Sequence, residues 1–186
     1  MILDIRVLGD AILRQETKPV GEITSEHLKL IDDMFETMHA AQGIGLAAPQ
    51  VGRTERIAVV DVEGGKQPIA LINPQVVSSS SRQEKSEEGC LSIPDVFGDV
   101  ERPESVVVRA LDRDGRAIEI SASGLLARCL QHEIDHLNGK LFIDYLSVLK
   151  RRSAMNEWSK IKDRYPGNIR HMTAEEVAKH HSDEEL

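Results

Sequence analysis

The stretch "GLLARCLQHEIDHLNG", residues 124–139, limits the fold more than any other part of the chain. Its apolar positions, Leu125, Leu126, Cys129, Leu130 and Leu137, recur at helical spacing, Ser123 precedes it as a candidate cap, and Gly139 stands just past its end. At about 100° and 1.5 Å per residue, His132 and His136 fall on one face, one turn apart. Glu133 projects from the adjoining position. So apolar a helix belongs in a core, where two histidines and a glutamate without partners are costly. The HExxH pattern resolves that cost if two imidazoles hold a metal and the carboxylate serves as general base. The bland reading is a helix that happens to carry two histidines.

A metal that performs chemistry usually keeps three protein ligands and one open position. Downstream, Gly139 fits one zinc-protease pattern, but Phe142 stands where its third histidine belongs. Glu157 stands at the distance used by another peptidase class, yet it lies in a basic stretch, and Ile161 gives it no acidic neighbour four residues on. Upstream, Cys90 sits in "EEGCLSIP" after Gly89, which gives the backbone freedom. A thiolate is a soft ligand that coordination deprotonates outright. Taken alone, Cys90 reads more readily as a buried cysteine packing like an apolar residue. Cys129, among apolar neighbours three residues before His132, is read as packing beside the site.

The remaining elements suit one domain of 186 residues. "TSEHLKLIDDMFETMHAA" carries Leu28, Ile31, Met34, Phe35 and Met38 at helical spacing, with Thr24 or Ser25 as its cap. "GIGLAAPQVG" follows, rich in small residues that let the backbone approach something closely. "RIAVVDV", "PIALINP", "SVVVRALD" and "RAIEISAS" are short and β-branched, and "DRDG" at 112–115 predicts a hairpin between the last two. "SSSSRQEKSE" at 78–87 reads as a polar loop. Helix, strands, then helix predicts an α+β fold with mainly antiparallel pairing. A further helix is expected over 147–164, broken at "YPGN".

Composition excludes several classes. Aromatics are 3%, so the core is aliphatic. Two cysteines make no disulfide framework and fit a reducing compartment. No apolar run approaches the roughly 18 residues of a membrane helix, and Asp4 and Arg6 interrupt what a signal peptide needs. A soluble protein that is not exported is expected. The net charge of −8 argues against bulk nucleic-acid binding. Charge is uneven: 150–170 holds seven basic residues against two acidic, and 173–186 five acidic against one basic.

In order along the chain, "GIGLAAPQ" at 43–50, "EGCLS" at 88–92 and "HEIDH" at 132–136 closely resemble the peptide deformylases, metal-dependent hydrolases that remove the formyl group from amino-terminal methionine. "IDDMFETM", "RALDRDG" and "ARCLQHEIDHLNGKLFIDYLS" share the likeness, which covers roughly residues 3–150. The resemblance implies antiparallel sheets packed around a central HExxH helix, with an N-terminal helix and a C-terminal extension. It makes Cys90, His132 and His136 metal ligands and Glu133 the acid/base. The Gln50 amide and Leu91 N–H would face the oxygen of the tetrahedral intermediate. Gly43, Ile44, Gly45, Gly89, Leu125 and Cys129 would contact substrate, with Arg128 on the same helix face. The implied metal is one Fe(II), with Zn, Ni or Co accepted. The implied partners are formylmethionyl nascent peptides in the bacterial cytoplasm, with no membrane and no specific nucleic acid. The basic stretch from Lys150 to Arg170 would dock transiently at the ribosome, or simply form a solvated helix face. Residues 1–150 form the expected catalytic domain, and 151–186 a charged, partly helical extension whose end need not be ordered.

Overall fold

A computed structural model describes the backbone of residues 1–184 and the side chains through residue 179. In chain order the elements are β1 (Ile5–Arg6), α1 (Ser25–Ala40), β2 (Gly45–Ala47), β3 (Ile57–Val60), β4 (Ile69–Ser79), β5 (Gln83–Cys90), β6 (Ile93–Pro103), β7 (Ser105–Leu111), β8 (Ala117–Ser123), α2 (Gly124–Leu137), α3 (Val148–Ile161), β9 (Ile169–Arg170) and α4 (Ala174–Glu184). The strands form a five-stranded sheet ordered β2-β3-β4-β7-β8 and two pairs, β5–β6 and β1–β9. All of these pairings are antiparallel, as the α+β reading expects.

The two helices flank the central sheet because β3 is buried on both faces. Side chains alternate across a strand. Ile57 and Val59 therefore pack with Leu30, Ile31, Met34 and Met38 of α1. Val60 packs on the other side with Ala127, Cys129, Leu130 and Ile134 of α2, and Ala58 meets Leu137. Helix α2 is thus central, held between this sheet and the β5–β6 pair. Its end needs a glycine twice over. Gly139 has φ +72°, and a Cβ there would stand 2.6 Å from the Arg14 carbonyl oxygen.

Caps differ in detail from expectation. Ser123 is extended at the start of α2, but its side chain makes no capping bond. At α1 the Thr24 N–H donates to His27 Nδ1 at 3.0 Å, which closes one half of a capping box. The 112–115 hairpin forms as expected. Asp112 Oδ1 accepts from the Asp114 and Arg116 N–H groups at 2.9 Å each, and Gly115 takes φ +79°.

The polar stretch 78–87 is not a loop. Ser78 and Ser79 end β4, and Gln83 to Glu87 begin β5, leaving only 80–82 as connection. Those β5 residues are exposed and pair through backbone alone, from Gln83↔Pro103 onward. With neither face of that end buried, no hydrophobic alternation marks the strand. Its partner β6 buries Ile93, Val96 and Val100 in a third core with Val7, Phe142, Ala154 and Trp158.

The C-terminal segment belongs to this body. Helix α3 begins where Ser147 Oγ accepts from the Lys150 N–H, and it ends at Ile161, three residues short of the expected 164. Strand β9 then pairs with β1, Ile5 opposite Arg170 and Arg6 opposite Ile169. Thr173 caps α4. Its Oγ1 accepts from the Glu176 N–H at 3.2 Å, and Glu176 Oε2 accepts from the Thr173 N–H at 2.8 Å. Helix α4 rests on α1. The expectation about the chain's very end concerns residues 185–186, outside the described residues. No helix among the described residues is long and apolar enough to cross a membrane.

Candidate metal centre

Three lone-pair atoms converge where α2 meets the end of β5. His132 Nε2 and His136 Nε2 are 3.1 Å apart, and Cys90 Sγ is 3.3 Å from His136 Nε2. The three ligand atoms all lie within 4.8 Å of one another. So close a cluster of donors is repulsive unless protons or a cation sit between them, and one thiolate with two imidazoles is a fitting set for a divalent transition metal. The residues therefore fit the metal that HExxH implies. Burial holds the His136 pKa well below the usual value, which keeps that ring neutral. Burial also disfavours charge on His132, yet Cys90 and Glu88 raise its pKa well above normal. The Glu88 contact, 2.9 Å from Nδ1, holds a proton on Nδ1 and turns Nε2 toward the cluster. A metal displaces any Nε2 proton when it binds.

Behind these ligands lies a charged network that sequence reasoning missed. Glu88 is buried and accepts from Arg102 Nε at 2.6 Å and Nη2 at 2.9 Å, and from Arg128 Nη1 at 2.7 Å. Burial alone would raise its pKa, but His132 and Arg102 bring it down to about 2. Arg102 continues to Asp135 Oδ2 at 2.8 Å, which also accepts from Tyr145 Oη at 2.8 Å. The guanidinium lies 4.7 Å from the Tyr145 ring centre. Neither Arg102 nor Glu88 has a buried side-chain nitrogen or oxygen left without a partner, which is what a buried ion pair requires. Nothing in the spacing of these residues announces the network, because strand pairing and not sequence distance assembles it. Arg128 also donates to the carbonyls of Val100 at 2.9 Å and Glu84 at 2.7 Å, tying α2 to the β5–β6 pair.

Glu133 sits beside the cluster, 3% exposed, with Oε2 lacking any hydrogen-bond partner among the described residues. Burial pushes its carboxyl up to about 7. Its position explains Gly45. A Cβ there would come within 2.5 Å of Glu133 Oε1 and 2.8 Å of Cys129 Sγ. Likewise a Cβ at Gly43 would meet Leu91 Cδ1 at 2.7 Å, and one at Gly89 the Phe97 ring at 2.8 Å. None of the three has positive φ, so close approach is what favours glycine here, most strongly at Gly45, whose neighbours Glu133 and Cys129 are buried.

Gln50 is buried in the 3₁₀ turn Ala48–Val51. Its Oε1 accepts from the Ala47 N–H at 2.9 Å, which turns Nε2 toward Ser92 Oγ at 3.1 Å and Cys90 Sγ at 3.6 Å. Leu91 and Ser92 form a two-residue turn closed by Cys90↔Ile93. A cleft of about 650 Å³ runs over these groups. Gly43, Ile44, Gly45, Gly89, Leu125 and Cys129 all line it, as do Gln50, Cys90, Leu91, His132 and Glu133. His136 lies behind the wall, 1% exposed. Cys129 packs beside the site, its thiol donating to the Ile44 carbonyl at 3.4 Å. Leu125, expected on the apolar stripe of α2, is 56% exposed and stands at the cleft with the exposed Ile44 and Phe97. Tyr165 and Arg170 also reach the cleft, from the C-terminal segment that carried no expected site residue. Metal donors, a buried carboxylate and an aimed amide N–H form a set suited to hydrolysing a small amide.

Comparison with known proteins agrees. A model of the polypeptide deformylase family matches residues 2–152. The chain is 54% identical over 159 residues to the peptide deformylase of Hydrogenovibrio crunogenus, covering 85% of this chain and 94% of that protein. It is 52% identical over 166 residues to peptide deformylase 2 of Vibrio cholerae, covering 88% and 98%. The crystal structure of a peptide deformylase from Legionella pneumophila superposes with a TM-score of 0.84 at 49% identity, covering 88% of this chain and 96% of the other. One from Synechococcus elongatus in complex with actinonin superposes at 0.82 and 46%, covering 84% and 88%.

Proposed function

This chain belongs to the peptide deformylase family, and on that premise we propose how its residues divide the work. The enzyme is a metal-dependent hydrolase that removes the formyl group from the N-terminal formylmethionine of nascent polypeptides, releasing formate. Cys90, His132 and His136 hold the metal. A thiolate with two imidazoles suits Fe(II) as the resident ion, and also accommodates Zn, Ni or Co. Bound there, a divalent metal supplies Lewis acidity toward the formyl oxygen and lets water lose a proton near neutral pH.

The observation that carries the mechanism is Glu133, buried, unpartnered at Oε2 and beside the donor cluster. A carboxyl held near neutrality takes the proton from the attacking water and passes it to the leaving amine. As water attacks, the formyl oxygen gains negative charge. The Gln50 Nε2–H, aimed by the Ala47 bond, and the Leu91 N–H in its tight turn stabilise that charge. The formyl-methionyl peptide binds extended beside β2, which is the edge of the five-stranded sheet and offers the backbone at Gly43 to Gly45. Gly89 lines the opposing wall. The methionine side chain enters between Ile44, Leu125 and Cys129, where Arg128 is committed to Glu88 and the β5–β6 backbone rather than to substrate.

Residues 1–150 supply every group given a chemical role here, and 151–186 form an extension. Relatives from bacteria at about 50% identity support a place in the bacterial cytoplasm, near emerging chains. Transient ribosome docking through the basic stretch is supported by the exposed Lys150 and Arg152 beside Val148 and Leu149, which are 82% and 78% exposed. The deciding assay is formate release with anaerobically prepared enzyme of known metal content. Formyl-Met peptides should be hydrolysed much faster than acetyl-Met peptides, and equal rates would refute the tight formyl site.

A further inference from the structure

We propose that Arg170 is a positioning residue for the reaction, reaching from the C-terminal segment to hold the Leu91–Ser92 turn. The inference rests on the reading that the Leu91 N–H faces the reacting oxygen. Arg170 lies beyond the stretch that the family model matches, residues 2–152.

A two-residue hairpin closes through the strand residues that flank it, so the peptide groups of the loop must find partners elsewhere. This turn is held at four points. The Leu91 side chain abuts Gly43. Ser92 Oγ accepts from Gln50 Nε2 at 3.1 Å. The Ser92 carbonyl accepts from the Leu8 N–H at 2.9 Å. The Leu91 carbonyl faces Arg170 Nη1 at 3.4 Å. The last two depend on the C-terminal segment. Leu8 follows β1, which pairs with β9, and the Val7 N–H donates to the Asn168 carbonyl at 3.0 Å.

The guanidinium is not a loose surface group. Its side chain is 16% exposed, and Nη2 donates to Glu176 Oε1 at 2.7 Å. Glu176 is itself fixed by the Thr173 N–H at the start of α4, and α4 rests on α1. The arginine therefore spans from a capped helix to the turn, lining the cleft as it passes. At 3.4 Å the contact with Leu91 is longer than an ordinary hydrogen bond, so it acts chiefly as a guanidinium charge facing the dipole of the Leu91 carbonyl. Holding the Leu91 carbonyl fixes one of the two peptide planes that meet at Leu91, and the other carries the N–H in question. A donor misplaced by about 1 Å costs on the order of 100-fold in rate, comparable to losing one oxyanion donor.

The test measures kcat, KM, metal content and the amide hydrogen exchange of Leu91 and Ser92 in the full-length metal-loaded enzyme. Arg170→Ala should lower kcat by about 10–100-fold, with KM and metal content unchanged and faster exchange at both amides. Arg170→Lys keeps the charge but cannot span Leu91 and Glu176 together, so it should fall between the two. His171→Ala removes the exposed pair with Asp4 and should match wild type. Wild-type kcat in Arg170→Ala overturns the proposal. A raised KM with unchanged kcat also overturns it, by making Arg170 a substrate contact. If the alanine variant fails to fold, wild-type kcat and exchange in both Arg170→Lys and Glu176→Gln overturn it instead. Replacing the Leu91 peptide N–H by an ester oxygen tests the underlying reading. Wild-type kcat there refutes the Leu91 assignment, while a crippled ester variant beside an unaffected Arg170→Ala refutes only the inference.

Discussion

Gly45→Ala adds one methyl group at the most crowded point of the cleft. Its Cβ would stand 2.5 Å from Glu133 Oε1 and 2.9 Å from Glu133 Cδ, with Cys129 Sγ at 2.8 Å. Restoring an ordinary contact of 3.4–4 Å requires a shift of about 0.9–1.5 Å. Little else can yield, because Ala47, Leu46 and the α2 face around Leu130 are fully buried. Proton transfer needs a heavy-atom distance of about 2.6–3.2 Å, and a displacement near 1 Å costs on the order of 100-fold. We therefore expect kcat for formate release to fall by about 10–100-fold, with metal content unchanged because the atoms nearest the new methyl belong to Glu133 and Cys129 and not to Cys90, His132 or His136. Overpacking costs about 1–3 kcal/mol, and the reduced freedom of the unfolded chain offsets about 0.4–1 kcal/mol of it. The variant should therefore fold, with Tm lowered by up to about 10 °C. Steady-state kinetics and metal analysis on the same preparation decide the matter. Wild-type kcat in a folded Gly45→Ala enzyme would refute the argument that Glu133 must sit where this glycine leaves room.

Glu133→Ala should keep its metal and lose about 10²–10⁴-fold in turnover; normal formate release would show that another group carries the proton. Cys90→Ala should strip or greatly weaken metal binding while Cys129→Ala does not, and equal metal content in wild type and Cys90→Ala would remove Cys90 from the ligand set. Arg102→Leu breaks a buried pair and leaves Glu88 under-neutralised, so it should destabilise by about 3–5 kcal/mol and weaken metal affinity by about 10–100-fold through His132; unchanged denaturation and metal titration would contradict this. Asp144 pairs with Arg14 at 2.7 Å, and although burial would raise its pKa, Arg14 and the Leu141 N–H hold it below the usual value. A depressed folded pKa contributes stability above the unfolded value of about 3.9 and loses it as pH falls through the folded pKa. The Tm gap between wild type and Asp144→Asn should therefore close below roughly pH 4, and a gap independent of pH would refute the pairing. For ribosome docking, charge reversal at Lys150 and Arg152 is the cleaner probe than truncation, because Ala154 and Trp158 belong to the third core; unchanged ribosome binding by that variant would end the idea.

The central helix, with His132, Glu133 and His136 on it, was legible in the chain alone because it depends on local periodicity and on groups close in sequence. Helical spacing places His132 and His136 on one face whatever surrounds them. Short β-branched runs and turn chemistry mark β3, β7, β8 and the 112–115 hairpin in the same way. Cys90 could not be assigned from its own surroundings. Resemblance named it a ligand, and only the fold shows its sulfur meeting the imidazoles, since 41 residues of intervening chain lie between Cys90 and His132. What the sequence hid was what arises from pairing across space. Strand β5 shows no hydrophobic pattern because its exposed end is held by backbone bonds to β6. The Glu88–Arg102–Asp135 network draws on two strands and a helix, and a buried charge looks like any surface charge until its partners are known. The C-terminal segment read as a charged extension, because two-residue strands such as β1 and β9 carry no periodicity. Tertiary structure alone turns that segment back along β1 and brings Arg170 to the Leu91–Ser92 turn.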